Sequence, residues 1–176
     1  QVGNDAVLPN HVPVEYVEPD FPSVEGSTAG FETVPEEFVQ VFDAPPGSGG
    51  SYTVMTPLWG TIPPTEGNQY FDAVNEAIGT DLTFQISDGN TYGDKLAAVL
   101  ASPKDVADWV TIPSWNVPPR FGQAVDTIFT DLTPYLEGDK VKDYPNLANI
   151  PTDAWRACMW NGKLYGLPLP GELVND

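Results

Sequence analysis

The chain has 176 residues, of which 41% are hydrophobic and 11% aromatic, so it can build a packed globular core. Its 25 Asp and Glu outnumber seven Lys and Arg, which gives a formal net charge of −18 at pH 7. This charge repels phosphates and anionic lipid headgroups, and therefore argues against nucleic-acid binding and electrostatic membrane binding.

The first part of the chain, residues 1–50, is rich in Pro, Glu and Gly and has no sustained helical or strand period. Proline fixes φ and removes a donor, so this arm is expected to run extended or to stay loose. Part of it should pack against the globular body, because four aromatic side chains are costly to leave in water: Phe21, Phe31, Phe38 and Phe42. We therefore divide the chain into an arm with a flexible linker, 1–50, and a lobe, 51–176.

Strand and helix patterns alternate from Tyr52 onward. Strand patterns lie in SYTVMTPLW, DLTFQIS and DWVTIP, and each is followed by an amphipathic helix pattern: QYFDAVNEAIG, TYGDKLAAVLAS and RFGQAVDTIFTDL. The first helix is expected to end at Gly79, and Thr91 and Asp94 are spaced to cap the second. Three strand–helix units with short connections predict an α/β fold, a parallel-type sheet flanked by helices and joined by right-handed crossovers.

The residues that follow each predicted strand include an aromatic side chain. Open parallel sheets bind ligands beyond the carboxyl ends of their strands. Those ends carry Trp59 after the first strand, Tyr92 after the second and Trp115 after the third. Flat aromatic faces with amide and hydroxyl neighbours suit a sugar ring. The alternative is that Trp59 and Trp115 merely cover the core at the end of the sheet.

Sequence signatures of catalysis are missing. No Gly-x-Ser-x-Gly elbow occurs, the single histidine, His11, has no nucleophile partner, and no Gly-x-Gly-x-x-Gly follows the first strand. A carboxylate pair for glycoside hydrolysis remains possible, with members such as Asp72, Asp88 and Glu172. We expect a binding protein with no catalytic residue, no metal and no cofactor.

The single cysteine, Cys158, cannot form an internal disulfide, and no Cys/His cluster is spaced to hold zinc. It lies in DAWRACMW, where the spacing of Trp155, Cys158 and Met159 predicts a buried helical face.

The stretch WNGKLYGLPLPGE, residues 160–172, carries a strong hairpin signal. Both positions of a two-residue Asn-Gly turn need positive φ, which these residues tolerate. With the segments YTVMTPLWG, QYFDAVNEAIG, TYGDKLAAVLAS, DWVTIP and FTDLTPYLEGD, this stretch resembles the first lobe of extracellular solute-binding proteins of bacterial ABC importers, the class that includes maltose-binding protein. In that family a GKLYGLP strand crosses from the first lobe to the second. The arm is similar to the mature ends of actinobacterial sugar-binding lipoproteins.

The resemblance implies an extracellular, two-lobed receptor whose second lobe is missing from this chain. It implies a removed signal segment, a lipid anchor at the cell surface, a carbohydrate ligand of the oligosaccharide class, and a membrane ABC permease as partner. Gly166 and Gly171 are the expected hinge residues. Tyr165 and Pro168 are expected at the lobe boundary, and Arg120 on the solvated surface.

The ligand-binding residues implied by the resemblance come from the three strand-end loops and the crossing segment: Trp59, Asn90, Tyr92, Ser114, Trp115 and Glu172. Two other interpretations stay open. One is a lobe of a carboxylate-based glycoside-active enzyme, and the other is a free-standing carbohydrate-binding surface module. Acidic loops would also suit a cation or a basic peptide.

Overall fold

A computed structural model describes residues 5–13, 17–22, 24, 29–34, 36, 40 and 42–169. The chain divides into two compact units. The sheet unit is Val41–Ile128, and the hairpin unit combines Gln1–Gln40 with Phe129–Asp176. These units do not coincide with the predicted division between residues 50 and 51.

The sheet unit is built on three parallel strands with β1 in the centre, in the order β2-β1-β3. The strands are β1 (Ser51–Leu58), β2 (Asp81–Asp88) and β3 (Trp109–Val110). β1 pairs with β2 along all eight residues, but with β3 only through Val54 and Met55. Asp108 strengthens this short pairing, because its carboxylate accepts from the Thr53 N–H at 2.8 Å and from the Thr53 hydroxyl at 2.9 Å. Those two bonds lower the pKa of Asp108.

Three helices follow the strands, which confirms the predicted alternation and the mixed α/β class. They are α1 (Gln69–Ile78), α2 (Tyr92–Leu100) and α3 (Phe121–Ile128). α1 ends as predicted at Gly79, which has a left-handed φ of 69°. The predicted cap of α2 is wrong, because the Thr91 side chain makes no capping bond; its hydroxyl donates to the Asp88 carbonyl at 3.4 Å.

The core of the sheet unit lies largely between the sheet and α2. α2 buries the stripe that its sequence predicts, through Tyr92, Leu96 and Leu100. Met55 of β1 and Val125 of α3 are also buried. On α1 the Phe71 ring packs against Phe84 of β2 at a centroid distance of 5.0 Å. The apolar stripes predicted from the sequence therefore form the core that holds the ends of the strands in position.

The hairpin unit consists of short elements. Its α-helices are α4 (Thr133–Leu136) and α5 (Pro145–Ala148), and its 3-10 helices are Asp5–Val7, Asp139–Asp143 and Thr152–Cys158. Strands β4 (Met159–Trp160) and β5 (Lys163–Leu164) form an antiparallel hairpin. The turn residues Asn161 and Gly162 have φ values of 52° and 76°, which confirms the predicted Asn-Gly turn.

A separate apolar cluster fills the hairpin unit. Trp155, Val141 and Leu164 are fully buried in it. The burial predicted around Cys158 is confirmed, although the segment is a 3-10 helix that runs into β4, since residues 159 and 160 pair across the hairpin. Cys158 itself is half-buried, and burial raises the pKa of its thiol to about 11.

The N-terminal strap, residues 5–13, belongs to this cluster. Leu8 is buried, and the strap pairs through backbone bonds from Asn10 N–H to the Gly138 carbonyl at 3.0 Å and from Val12 N–H to the Ala148 carbonyl at 2.8 Å. Part of the arm therefore does pack, through Leu8 and Pro9 of the strap. Phe21, Phe31 and Phe42 are 58%, 44% and 46% exposed, and Phe38 lies outside the described residues. Val7 and Val12 of the strap are partly buried against the same apolar cluster.

Candidate functional site

The carboxyl ends of β1 and β3 lie side by side at a point where the connections of the sheet diverge. β1 leads through α1 to β2 on one side, whereas β3 lies on the other side and leads into α3. In open parallel sheets such a topological switch point is the usual place for a ligand. The loop after β1 carries Trp59, and the loop after β3 carries Ser114, Trp115 and Asn116.

Trp59 and Trp115 form an exposed pair at this point. Their ring centroids are 6.2 Å apart with planes tilted by 45°. Trp59 is 54% exposed and Trp115 is 75% exposed. Side chains that only covered the core would be largely buried, so these fractions favour the ligand-facing interpretation. We call these two tilted indoles the aromatic wedge, and each residue keeps more than half of its surface accessible to solvent.

Gly89, in the loop between β2 and α2, lies directly beneath Trp59. A Cβ added at Gly89 would overlap the indole ring at Cε2, Cδ2 and Nε1. The ring therefore packs flat on the glycine backbone, which fixes its orientation. The Gly89 N–H also donates to the Leu58 carbonyl at 2.9 Å, which ties this loop to the end of β1.

Asn90 lies in the same loop, but its amide is used locally. One oxygen of Asp88, Oδ1, accepts from the Asn90 backbone N–H and from its Nδ2, both at 2.9 Å. This is a side-chain turn of the kind that Asp favours before a helix. The structure thus places Asn90 at the rim with its amide bound to its own loop.

Tyr92 does not lie at the rim, which corrects the expectation that its ring joins the two indoles. It is 1% exposed, and its hydroxyl donates to the Thr111 carbonyl at 2.7 Å. Burial raises the pKa of Tyr92 to about 12. As the first residue of α2 it lies on the stripe that faces the core, together with Leu96. Its phenol links the ends of strands rather than facing solvent.

The structure describes some of the remaining predicted residues but not others. Ser114 is exposed next to Trp115 in a short 3-10 helix, Ser114–Asn116. Glu172 and Gly171 lie outside the described residues. Arg120 is exposed as expected, and has an unusual positive φ of 61° immediately before α3.

Two polar features at this end of the sheet were not predicted as site residues. Asn116 is half-buried, and its amide packs on Gly93 in the first turn of α2. Lys95 of α2 donates to the buried hydroxyl of Ser87 at 2.6 Å, which satisfies that hydroxyl at the end of β2. Neither contact has a sequence signal, because each joins side chains from two different elements.

Within the ranges described above, no group of three or more His, Cys, Asp or Glu side chains could hold a metal ion. The same part of the chain contains no helix that is both long and apolar enough to span a bilayer.

No protein-family model matches the chain, and no curated protein matches it. What can be concluded about function therefore depends on the fold and on the geometry of the Trp59–Trp115 pair.

Proposed function

We propose that this chain is the first lobe of an extracellular solute-binding receptor, which captures a carbohydrate between two lobes and delivers it to an ABC importer. The observation that carries the proposal is the exposed Trp59–Trp115 pair at the switch point of a parallel sheet.

The chemistry of the pair suits a sugar. The C–H faces of a pyranose ring pack on an indole face, and burying that apolar area gives a favourable free energy of binding. The wedge offers two such faces with their centroids 6.2 Å apart. The net charge of −18 disfavours acidic glycans, so the expected ligand is a neutral sugar.

In the proposed mechanism a second lobe, supplied by chain outside this sequence, closes over the wedge. A ligand that contacts both lobes has a higher affinity for the closed arrangement and shifts the population toward it. Gly166 of the crossing segment and Gly171 are the proposed hinge residues. The closed form would then be the one that the membrane permease recognises, and a lipid anchor upstream of residue 1 would hold the receptor at the cell surface.

The test is a titration of the 176-residue chain with maltotetraose and cellotetraose, followed by tryptophan fluorescence. We expect saturable binding with a Kd of about 1 mM, since one lobe supplies only part of the contacts. Trp59→Ala and Trp115→Ala should each weaken binding about tenfold, because each removes one stacking face. Trp109→Ala is the matched control: Trp109 is 55% exposed but is the first residue of β3, before the carboxyl end of that strand.

Three results would count against the proposal. The first is no saturable response to either sugar, and the second is an equal loss in the Trp109→Ala control. The third, nanomolar binding by this chain alone, would contradict the two-lobed arrangement. Chromatography of the incubated sugars tests the enzyme alternative, and we expect both tetrasaccharides to remain intact.

A further inference from the structure

We infer that Asn116 is the polar residue that orients a sugar bound at the Trp59–Trp115 pair, and that Gly93 positions its amide. The inference rests on the proposed function and adds to it the group that determines specificity. It also names the ligand feature that this group recognises, which is two neighbouring hydroxyls.

A sugar site needs hydrogen-bonding groups that the protein has not already used. Two neighbouring polar side chains, one in the β2–α2 loop and one at the start of α2, fail this condition. The Asn90 amide donates to Asp88 at 2.9 Å, and the Tyr92 hydroxyl donates to the Thr111 carbonyl at 2.7 Å. Breaking either bond for a ligand would offset most of what the new bond contributes.

Asn116 meets the condition. Its backbone N–H donates to the Pro113 carbonyl at 2.9 Å, which closes the turn of the short 3-10 helix. Its side-chain amide forms no hydrogen bond with any residue in the described part of the chain. It directly follows Trp115 in the same short 3-10 helix, Ser114–Asn116.

The amide is also held in place. A Cβ added at Gly93 would overlap both Nδ2 and Oδ1 of Asn116, so the amide packs against the backbone of the first turn of α2. Only glycine leaves this space. A side chain fixed before binding loses less conformational entropy when the ligand arrives.

The chemistry of the amide then defines the ligand feature. A carboxamide presents one acceptor oxygen and an NH₂ donor on neighbouring atoms. A pair of adjacent hydroxyls matches this arrangement, because one hydroxyl donates to Oδ1 while the other accepts from Nδ2. Stacking on the indoles tolerates many rings, so Asn116 supplies the selection among them.

The experiment measures binding of maltotetraose and cellotetraose to variants of the whole chain. Asn116→Ala removes donor and acceptor and should weaken binding about tenfold. Asn116→Asp keeps the shape and the acceptor but loses the donor, and should also weaken binding. Gly93→Ala should match Asn116→Ala, because its Cβ displaces the amide. Gln123→Ala is the control, because it removes an exposed amide from α3 and should change binding less than about twofold.

Two further readouts separate positioning from folding. The thermal midpoint and the near-ultraviolet circular dichroism of the Trp59–Trp115 pair should be unchanged in Asn116→Ala. Among monodeoxy analogues of the bound tetrasaccharide, two at adjacent ring positions should bind wild type more weakly, yet lose nothing further in Asn116→Ala.

The outcomes distinguish the two proposals. Normal binding by Asn116→Ala, or an equal loss in Gln123→Ala, overturns the inference and leaves the proposed function standing. No binding of either sugar to wild type contradicts both.

Discussion

The sheet unit and the hairpin unit are stabilised in different ways. In the sheet unit, strands and helices follow one another along the chain, and α1 packs against β2 through Phe71 and Phe84. Among the described residues of the hairpin unit the longest element has seven residues, and the core is completed by the N-terminal strap. Thr152 donates to the carbonyl of Pro9, 143 residues away. The first unit depends on local patterns and the second on distant contacts.

The largest predicted effect on stability comes from comparing a Trp→Ala substitution in each of the two units. Trp155→Ala in the hairpin unit should lower the free energy of unfolding by about 3–5 kcal/mol, because it empties a fully buried site. Trp115→Ala in the sheet unit should change it by less than about 0.5 kcal/mol, since Trp115 is 75% exposed. Urea unfolding measures both.

A milder variant serves as a control for the first. Trp155→Phe keeps most of the apolar volume and removes an indole N–H that has no hydrogen-bond partner among the described residues. Its loss of unfolding free energy should be clearly smaller than that of Trp155→Ala. Equal losses for Trp155→Ala and Trp115→Ala would contradict the packing described.

The next effect tests whether the strap is part of the hairpin unit. Leu8 is 4% exposed within the apolar cluster, so Leu8→Ala should cost about 2–4 kcal/mol. Hydrogen exchange should show the loss at the amides of Val12 and Gly138, which bond across the strap. The exposed Val17 provides a Val17→Ala control with little effect. If Leu8→Ala caused an equal loss of protection throughout α2, this result would contradict the difference described between the two units.

A smaller effect concerns Tyr92 in the sheet unit. Tyr92→Phe removes the bond to the Thr111 carbonyl and should cost about 1 kcal/mol at pH 7. Burial raises the pKa of Tyr92 to about 12, above the reference value of 10.0 for the unfolded chain. The contribution of the neutral phenol is therefore complete below pH 10 and declines as the pH rises toward 12.

Unfolding experiments at several alkaline pH values check this dependence. The difference in stability between wild type and Tyr92→Phe should shrink between pH 10 and pH 12. A constant difference over that interval would mean that the hydroxyl is not buried as described.

The fold of the sheet unit could be predicted because patterns within short stretches of the sequence determine its strands and helices. Apolar stripes at helical spacing and short strand patterns gave all three strand–helix units, and Gly79 gave the end of α1. The Asn161–Gly162 turn was predictable for the same reason. The strap was not, because Leu8 and Pro9 carry no sign of which distant carbonyls and apolar residues they meet.

The candidate site was predictable only in part. The strand-end rule pointed to Trp59 and Trp115, and the structure brings them together. Tyr92 was misplaced because a residue at the start of a helix can face the rim or the core, and its own apolar stripe decides for the core. Asn116 was not selected because its amide packs on Gly93 of α2, which is distant from it in sequence.

The most direct test of the central claim is an NMR titration that follows the indole N–H signals of the five tryptophans with maltotetraose and cellotetraose. The account predicts that the signals of Trp59 and Trp115 shift together with one common Kd, while those of buried Trp155 and of Trp109 stay in place. Shifts at Trp109 equal to those at the pair, or no shift at Trp59 and Trp115 at the solubility limit of the sugars, would contradict it.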